Sequence, residues 1–301
     1  MKFTDRDVAS QAGKTFVVTG ANTGIGFATS RVLASRGARV VLACRSRERG
    51  QAAIDRIRGA FPDADLRLVE LDQADLACVA RAADEIADEP RLDALINNAG
   101  IMFVPHSTTV DGFEQTLGVN HLGTFALTCR LLDALAQTPG SRVVVTSSSL
   151  HRRGTDVLAD PGYSRGYSST QAYHNSKLAN LWFAYELHRR LGDAGRGTIA
   201  SAVHPGLAST ELMRYLPQAA AKAFVWAARP VLNTSLSGAW PTLLAATAVG
   251  VEGGEYFGPS GVGEVQGPAT RVESSALSRD RELQRRAWDL SVEMTGVDPG
   301  I

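Results

Sequence analysis

FVVTGANTGIG, Phe16 to Gly26, is the stretch whose reading decides the fold. Phe16-Val17-Val18-Thr19 is a short β-rich run and reads as a strand. Thr19 to Gly26 then sets glycines at 20, 24 and 26, and a helical pattern runs from about Ile25 to Arg36. Glycine lets the backbone turn tightly, and the first amides of a helix, with its dipole, face an anion favourably.

Outward from this stretch the same alternation repeats. Arg39 to Cys44 (RVVLAC), Leu66 to Leu71, Leu92 to Asn97, Arg142 to Thr146 (RVVVT) and Thr198 to Val203 (TIASAV) read as strands two to six. They are near-continuous apolar runs, as expected where helices cover both sheet faces. Long helices are expected over about Gly112 to Gln137 and Ala172 to Leu191. A short seventh strand near Glu255-Tyr256-Phe257 and a last helix over about Arg279 to Met294 close the pattern. The expectation is an α/β fold with one Rossmann-type, doubly wound parallel sheet of about seven strands, helices on both faces. No linker or repeat interrupts the chain, so residues 1–301 are expected to form a single domain. Leu207 to Ser237, broken by Pro217 and Pro230, reads as an insertion after strand six.

The bulk numbers exclude several classes. Of 301 residues, 44% are hydrophobic and 21% charged, which suits a sizeable core and not a disordered chain. The 31 basic and 31 acidic side chains cancel, leaving no footprint for nucleic acid or an anionic membrane. The amino-terminal MKFTDRDVASQAGKT lacks an apolar core and reads as neither signal peptide nor membrane anchor. Cys44, Cys78 and Cys129 are widely spaced and suggest neither disulfides nor a C-x-x-C metal site, so a reduced, cytoplasmic protein is expected. His121, His174 and His204 fall on separate elements without a carboxylate pattern and read as packing; no metal is expected.

The glycine spacing is G-x-x-x-G-x-G instead of G-x-G-x-x-G, and alone it could be an ordinary tight turn. Between a first strand and a first helix it points to a dinucleotide held by Gly20, Asn22, Thr23, Gly24, Ile25 and Gly26. At the end of strand two an NAD site would offer an acid to the ribose 2′-hydroxyl. Here Cys44 is followed by Arg45, whose guanidinium suits a 2′-phosphate, so NADP(H) is the expected cofactor. Arg45 could also simply begin a polar turn with Arg47 and Arg49. Asp72 and Gln73, past strand three, are placed to touch the adenine. Asn97 to Gly100 (NNAG), past strand four, lets the backbone of Asn98, Ala99 and Gly100 pass beside the cofactor.

Tyr173 and Lys177 in AYHNSKLANLWF stand i, i+4, on one face of a helix. A phenol titrates near 10, too high for efficient acid–base work at neutral pH. An ammonium about 4 Å away contributes on the order of 4 kcal/mol at an effective dielectric of 20, enough to lower that value by roughly 2–3. Ser147-Ser148-Ser149 ends strand five on the rim where such sheets bind ligands.

TGANTGIG, NNAG, VNHLGTF, TSSS, YHNSK and HPGLAST follow the order and spacing of the short-chain dehydrogenase/reductases, which the chain resembles from residue 14 to about 210. NHLG, SLHRRG and SKLAN resemble the retinol dehydrogenase-like subgroup, many of whose members carry an anchor of the kind not seen in MKFTDRDVASQAGKT. The resemblance implies carbonyl–alcohol interconversion with Tyr173 as general acid or base. Lys177 would hold the nicotinamide ribose and tune Tyr173. Ser148, with Ser147 and Ser149 as competitors, would bond the substrate oxygen. Asn120 would kink its helix and hold a relay water, and Pro205, Gly206 and Thr210 would meet the carboxamide. It also implies homodimers or homotetramers through the two long helices flanking strand five.

The insertion would lie over the nicotinamide end as a lid. It is rich in Leu212, Met213, Tyr215, Leu216, Phe224, Val225 and Trp226, with only Glu211, Arg214, Lys222 and Arg229 as charges. A bulky, lipophilic, uncharged ketone or aldehyde is therefore the expected substrate. Two other readings keep the cofactor site: C=C reduction, epimerisation or dehydration on the same scaffold, and a sensor that binds NADP(H) without turnover. A sensor is expected to lack Tyr173 or Lys177, and both are present.

Overall fold

The computed structural model describes residues 2–207 and 233–301. Seven parallel strands, β1 (Thr15–Thr19), β2 (Arg39–Cys44), β3 (Leu66–Glu70), β4 (Ala94–Asn97), β5 (Arg142–Thr146), β6 (Ile199–Val203) and β7 (Tyr256–Pro259), and an eighth, β8 (Ala269–Arg271), form one sheet in the order 3-2-1-4-5-6-7-8. β8 runs antiparallel to β7, and Phe3 extends that edge by bridging Ala269. The doubly wound expectation holds. The eighth strand is a finding beyond it: three residues, Ala-Thr-Arg, too short to carry a hydrophobic pattern.

Helices cover both faces. α1 (Gly24–Ser35), α2 (Arg47–Ala60) and α7 (Ser235–Thr247) lie on one side, their apolar residues joining Val18, Val40, Leu42, Ile96 and Val144. On the other side are α3 (Leu76–Ala87), α5 (Gly123–Ala136), α6 (Ser169–Asp193) and α8 (Arg281–Thr295), packed on Val17, Val41, Leu95, Val143 and Val145. Alternate residues of each strand thus serve opposite cores, which is why the strands read as unbroken apolar runs. α7 was not anticipated, because SLSGAWPTLLAAT carries Gly238 and Pro241. Thr234 caps it by accepting from the Ser237 amide at 3.1 Å, and apolar burial of Ala239, Leu243 and Leu244 holds it. Residues 235–237 of the expected insertion therefore belong to a helix.

The helix expected over 112–137 is in three parts: α4 (Gln115–Leu117), a π turn (Gly118–Leu122) and α5. α8 lies against α6, burying Trp288 between Phe125 and Phe183 with ring centroids 5.1 and 6.0 Å away. Part of the surface of the two long helices, where association was expected, is thus covered from within the chain. Among the described residues no helix is long and apolar enough to cross a membrane.

The topology fixes where a ligand can sit. From β1 the chain winds one way to β2 and β3, then returns to place β4 on the other side of β1. The loops after β1 and β4 therefore leave in opposite directions and open a crevice at the carboxyl ends of the strands.

Candidate active site

Thr19, the last residue of β1, holds that crevice open. Its Oγ1 accepts from the Asn98 and Ala99 amides at 3.0 and 2.9 Å. Asn98 Nδ2 donates back to the Thr19 carbonyl at 2.9 Å. The loops after β1 and β4 are so close that a Cβ on Gly26 would stand 2.5 Å from Asn98 Nδ2 and from the Gly20 carbonyl. Gly20 itself has φ +66°, with Ala99 Cα 3.0 Å from where its Cβ would be. Glycine is required there on both counts.

A cleft of about 370 Å³ runs from this point. It is lined by Gly20, Asn22, Thr23, Gly24, Ile25, Arg45, Asp72, Gln73, Asn98, Ala99, Gly100, Tyr173 and Lys177 among the sequence candidates. Gly26, Asn120, Ser148, Pro205 and Gly206 are not among its lining. Gly26 lies beneath the loop. Pro205 and Gly206 follow β6, where Asn233 Nδ2 donates to the Pro205 carbonyl at 2.8 Å and Gly206 has φ +72°. Thr210 and most of the expected lid lie outside the described residues.

One end of the cleft is cationic. Ser46 caps α2, accepting from the Arg49 amide at 3.3 Å, and this first turn brings Ser46 and Arg49 to the cleft beside Arg45. Arg47, between them, pairs with Glu70 at 3.7 Å; among the described residues no carboxylate pairs with Arg45 or Arg49. In the sequence Arg49 reads as turn composition; only the capped first turn of α2 brings it to the cleft. Asp72 accepts from the Ala74 amide at 3.0 Å, and buried Gln73 donates to Thr124 Oγ1 at 2.8 Å.

At the other end lie Tyr173 and Lys177, both buried on α6. Lys177 Nζ donates to the Thr146 carbonyl at 3.1 Å and lies 5.7 Å from the centre of the Tyr173 ring. Phe103 stands edge-on to that ring at 5.3 Å. It takes φ +55° to do so, a conformation rare outside glycine and one that tends to cluster at functional sites. A Cβ on Gly100 would stand 3.1 Å from Asn120 Oδ1 and 3.4 Å from Lys177 Nζ, so the loop after β4 passes close to both.

Asn120 sits in the π turn. Its Oδ1 accepts from the Ile101 amide at 2.7 Å and its Nδ2 donates to the Ile101 carbonyl at 2.8 Å. Nδ2 also donates to Ser176 Oγ at 2.9 Å, and Ser176 Oγ donates to the Tyr173 carbonyl at 2.9 Å. The extra residue of the π turn thus ties the loop after β4 to the Tyr173 turn of α6.

The three serines separate cleanly. Ser147 Oγ donates to the Lys177 carbonyl at 2.7 Å, into the protein. Ser148 caps the 3-10 turn Ser149–Arg153, its Oγ accepting from the Leu150 amide at 3.2 Å with its proton left to give. Ser149 is half-buried in that turn. Two of the three histidines are engaged elsewhere, and His174 leaves its buried Nδ1 without a partner among the described residues. His121 lies 2.8 Å from Ser291 Oγ, His204 3.0 Å from Glu264, and His174 is buried next to Tyr173 in α6.

Residues 14–221 match the family model described as short chain dehydrogenase. Human retinol dehydrogenase 12 is 40% identical over 293 residues, covering 95% of this chain and 87% of its own. A crystal structure of an uncharacterised protein from Mycobacterium paratuberculosis is 38% identical with a TM-score of 0.83, covering all of both chains. A Beutenbergia cavernae protein described as an NAD(P)-dependent gluconate 5-dehydrogenase with NADP bound at low occupancy is 27% identical, TM-score 0.64. That likeness covers 82% of this chain and 95% of the other.

Proposed function

The chain belongs to the short-chain dehydrogenase/reductase family, in its retinol dehydrogenase-like part, and on that premise we propose that it is an NADPH-dependent reductase of bulky, lipophilic, uncharged ketones or aldehydes. Oxidoreduction between alcohol and carbonyl follows from the family; the cofactor, direction and substrate class are our reading. One observation carries it: Tyr173 and the buried Lys177 close one end of a cleft whose other end holds Arg45 and Arg49.

The residues present fit NADP(H). Gly20 and Gly26 let the loops after β1 and β4 close up beside the cleft, the start of α1 brings Gly24 and Ile25 to its wall, and Arg45, Ser46 and Arg49 suit a 2′-phosphate. When bound, NADP(H) supplies or accepts the hydride. Asn22, Thr23, Gly24 and Ile25 would hold the pyrophosphate, Asp72 and Gln73 the adenine side, and Lys177 the nicotinamide ribose. The Tyr173 hydroxyl would deliver a proton to the carbonyl oxygen as the alcohol forms, and take it back in the reverse direction. Ser148 Oγ would donate to the same oxygen and so stabilise the charge that develops on it. A positive charge on Lys177 would favour the phenolate and so assist proton transfer. Asn120 would keep the loop of Ile101 in register with Tyr173.

The substrate reading rests on Ile101 and Met102 in the cleft wall, on Phe103 against Tyr173, and on the apolar composition of 207–237. The related enzymes named for retinol, an uncharged lipophile, support it. The test is NADPH oxidation with retinaldehyde and trans-1-decalone against pyruvate and glucose. kcat/KM at least tenfold higher for the lipophiles is expected, about 1.4 kcal/mol; a preference for pyruvate or glucose overturns the reading.

A further inference from the structure

His151 is buried to 1% exposure in the SLHRRG segment that directly follows Ser148, and the function above leaves it without a task. Its hydrogen bonds define its chemistry. Ring Nδ1 lies 2.6 Å from the Ser148 carbonyl oxygen, and the same carbonyl accepts the His151 backbone amide at 3.1 Å. Ring Nε2 lies 3.1 Å from the Ser275 amide, which donates to it. A carbonyl can only accept and an amide can only donate, so Nδ1 carries the proton and Nε2 bears the lone pair. A second proton would set two N–H groups against each other. Burial, with Arg152 and His204 nearby, acts in the same direction, against the opposing Ser148 carbonyl and Glu264, and lowers the ring to about 4. The Tyr256 ring stands edge-on at 5.5 Å, and its hydroxyl, 3.4 Å from Nδ1, is placed to accept a minor share of the same proton.

Ser148 is therefore fixed twice over. Its side chain caps the turn through the Leu150 amide, and its carbonyl is pinned by two donors of one residue, which is itself anchored on the segment after β8. We infer that His151 is a positioning residue for Ser148: as a neutral ring of fixed tautomer it sets the peptide orientation that aims the serine hydroxyl at the substrate oxygen. The inference rests on the catalytic reading of Ser148. An error in hydroxyl placement of a fraction of an ångström costs rate more than substrate or cofactor binding.

Two substitutions separate this role from simple support of the fold. Asn at 151 can present an amide N–H where Nδ1 stands but has nothing at Nε2. Gln presents its amide where Nε2 stands and leaves the Ser148 carbonyl one donor short. With NADPH and the faster of retinaldehyde and trans-1-decalone, His151→Gln is expected to lower kcat about tenfold, with the Kd for NADPH unchanged. His151→Asn is expected to come back to within about threefold of wild type. On a Ser148→Ala background His151→Gln is expected to cost nothing further, since positioning a missing hydroxyl has no effect. Independently of turnover, the ring nitrogen NMR shifts at pH 6 are expected to show a protonated Nδ1 and a bare Nε2. A Gln variant better than the Asn variant, additive losses on the Ser148→Ala background, or a protonated Nε2 would each overturn the inference while Ser148 keeps its role. A Ser148→Ala enzyme as fast as wild type would instead remove the catalytic reading of Ser148 on which it stands.

Discussion

Lys177 Nζ and Asn180 Nδ2 converge on one acceptor, the carbonyl of Thr146, at 3.1 and 3.0 Å. The last peptide of β5 thus holds a buried ammonium one turn along α6 from Tyr173, with Asn180 bracing the same carbonyl from the next turn. Lys177→Ala removes both the charge and the ribose contact proposed for it. It is expected to raise the Kd for NADPH about tenfold and to lower kcat at least a hundredfold. Tyr173→Phe is expected to lower kcat by a similar factor while NADPH still binds. Fluorescence titration beside steady-state kinetics distinguishes the two; a Tyr173→Phe enzyme with near-normal kcat would remove the phenol from the chemistry.

The serine run gives an ordered expectation. Ser148→Ala is expected to lower kcat about a hundredfold and, through the lost cap on Leu150, to cost about 1 kcal/mol of stability. Ser147→Ala breaks the bond to the Lys177 carbonyl and is expected to cost on the order of 1–3 kcal/mol of stability and only a modest part of kcat. Ser149→Ala is expected to be near neutral in both. Thermal unfolding with kinetics on the three variants checks the order, and a Ser149→Ala enzyme slower than Ser148→Ala would move the substrate contact along the turn.

Cofactor choice is expected to follow the two arginines at the open end of the cleft. The wild type is expected to prefer NADPH over NADH by at least tenfold in kcat/KM, about 1.4 kcal/mol. Arg45→Asp is expected to reverse or abolish the preference, and Arg49→Ala to erode it several-fold through the KM for NADPH alone. Equal use of both cofactors by wild type, or an Arg45→Asp ratio identical to it, would count against the 2′-phosphate reading.

The parts legible in the sequence are those in which one residue pattern has one structural consequence. RVVVT at Arg142–Thr146 is a two-sided buried strand wherever it folds into such a sheet, and Tyr173 and Lys177 share a helix face through their spacing alone. The illegible parts depend on partners far along the chain. Thr19 looks like the end of a strand until Asn98 and Ala99, some eighty residues on, turn out to be bonded to its hydroxyl. Phe103 reads as an ordinary loop residue, because a positive φ on a non-glycine leaves no mark in the sequence. α7 carries two helix breakers and forms because tertiary burial outweighs propensity. β8 exists because β7 offers an edge for Ala269–Arg271 to pair with.

The buried histidines set an acid limit on the fold. His121, enclosed by Phe125 and Phe183 and bonded to Ser291 Oγ, is lowered by burial to about 4, and His151 likewise. In the unfolded chain both titrate near 6.5. Between pH 6.5 and 4 the unfolded state therefore binds more protons than the folded one. Stability is fully present above that window and falls as the pH drops through it. Each of the two contributes about 1.4 kcal/mol per pH unit inside the window. Below it, Glu89 and Glu264 have values held down by their arginine and histidine partners, and their stabilisation is lost as they protonate, in the same direction. Burial lowers His174 and His188 as well, so they add to the slope in the same direction. Urea unfolding at pH 7.5, 6.5, 5.5 and 4.5 is expected to show a plateau between the first two and a steep decline after, with His121→Gln removing about 1.4 kcal/mol per pH unit of that slope. Stability that holds level from pH 6.5 to 4.5 would mean that both rings accept protons in place, and that the neutral tautomer assigned to His151 is not the one the fold requires.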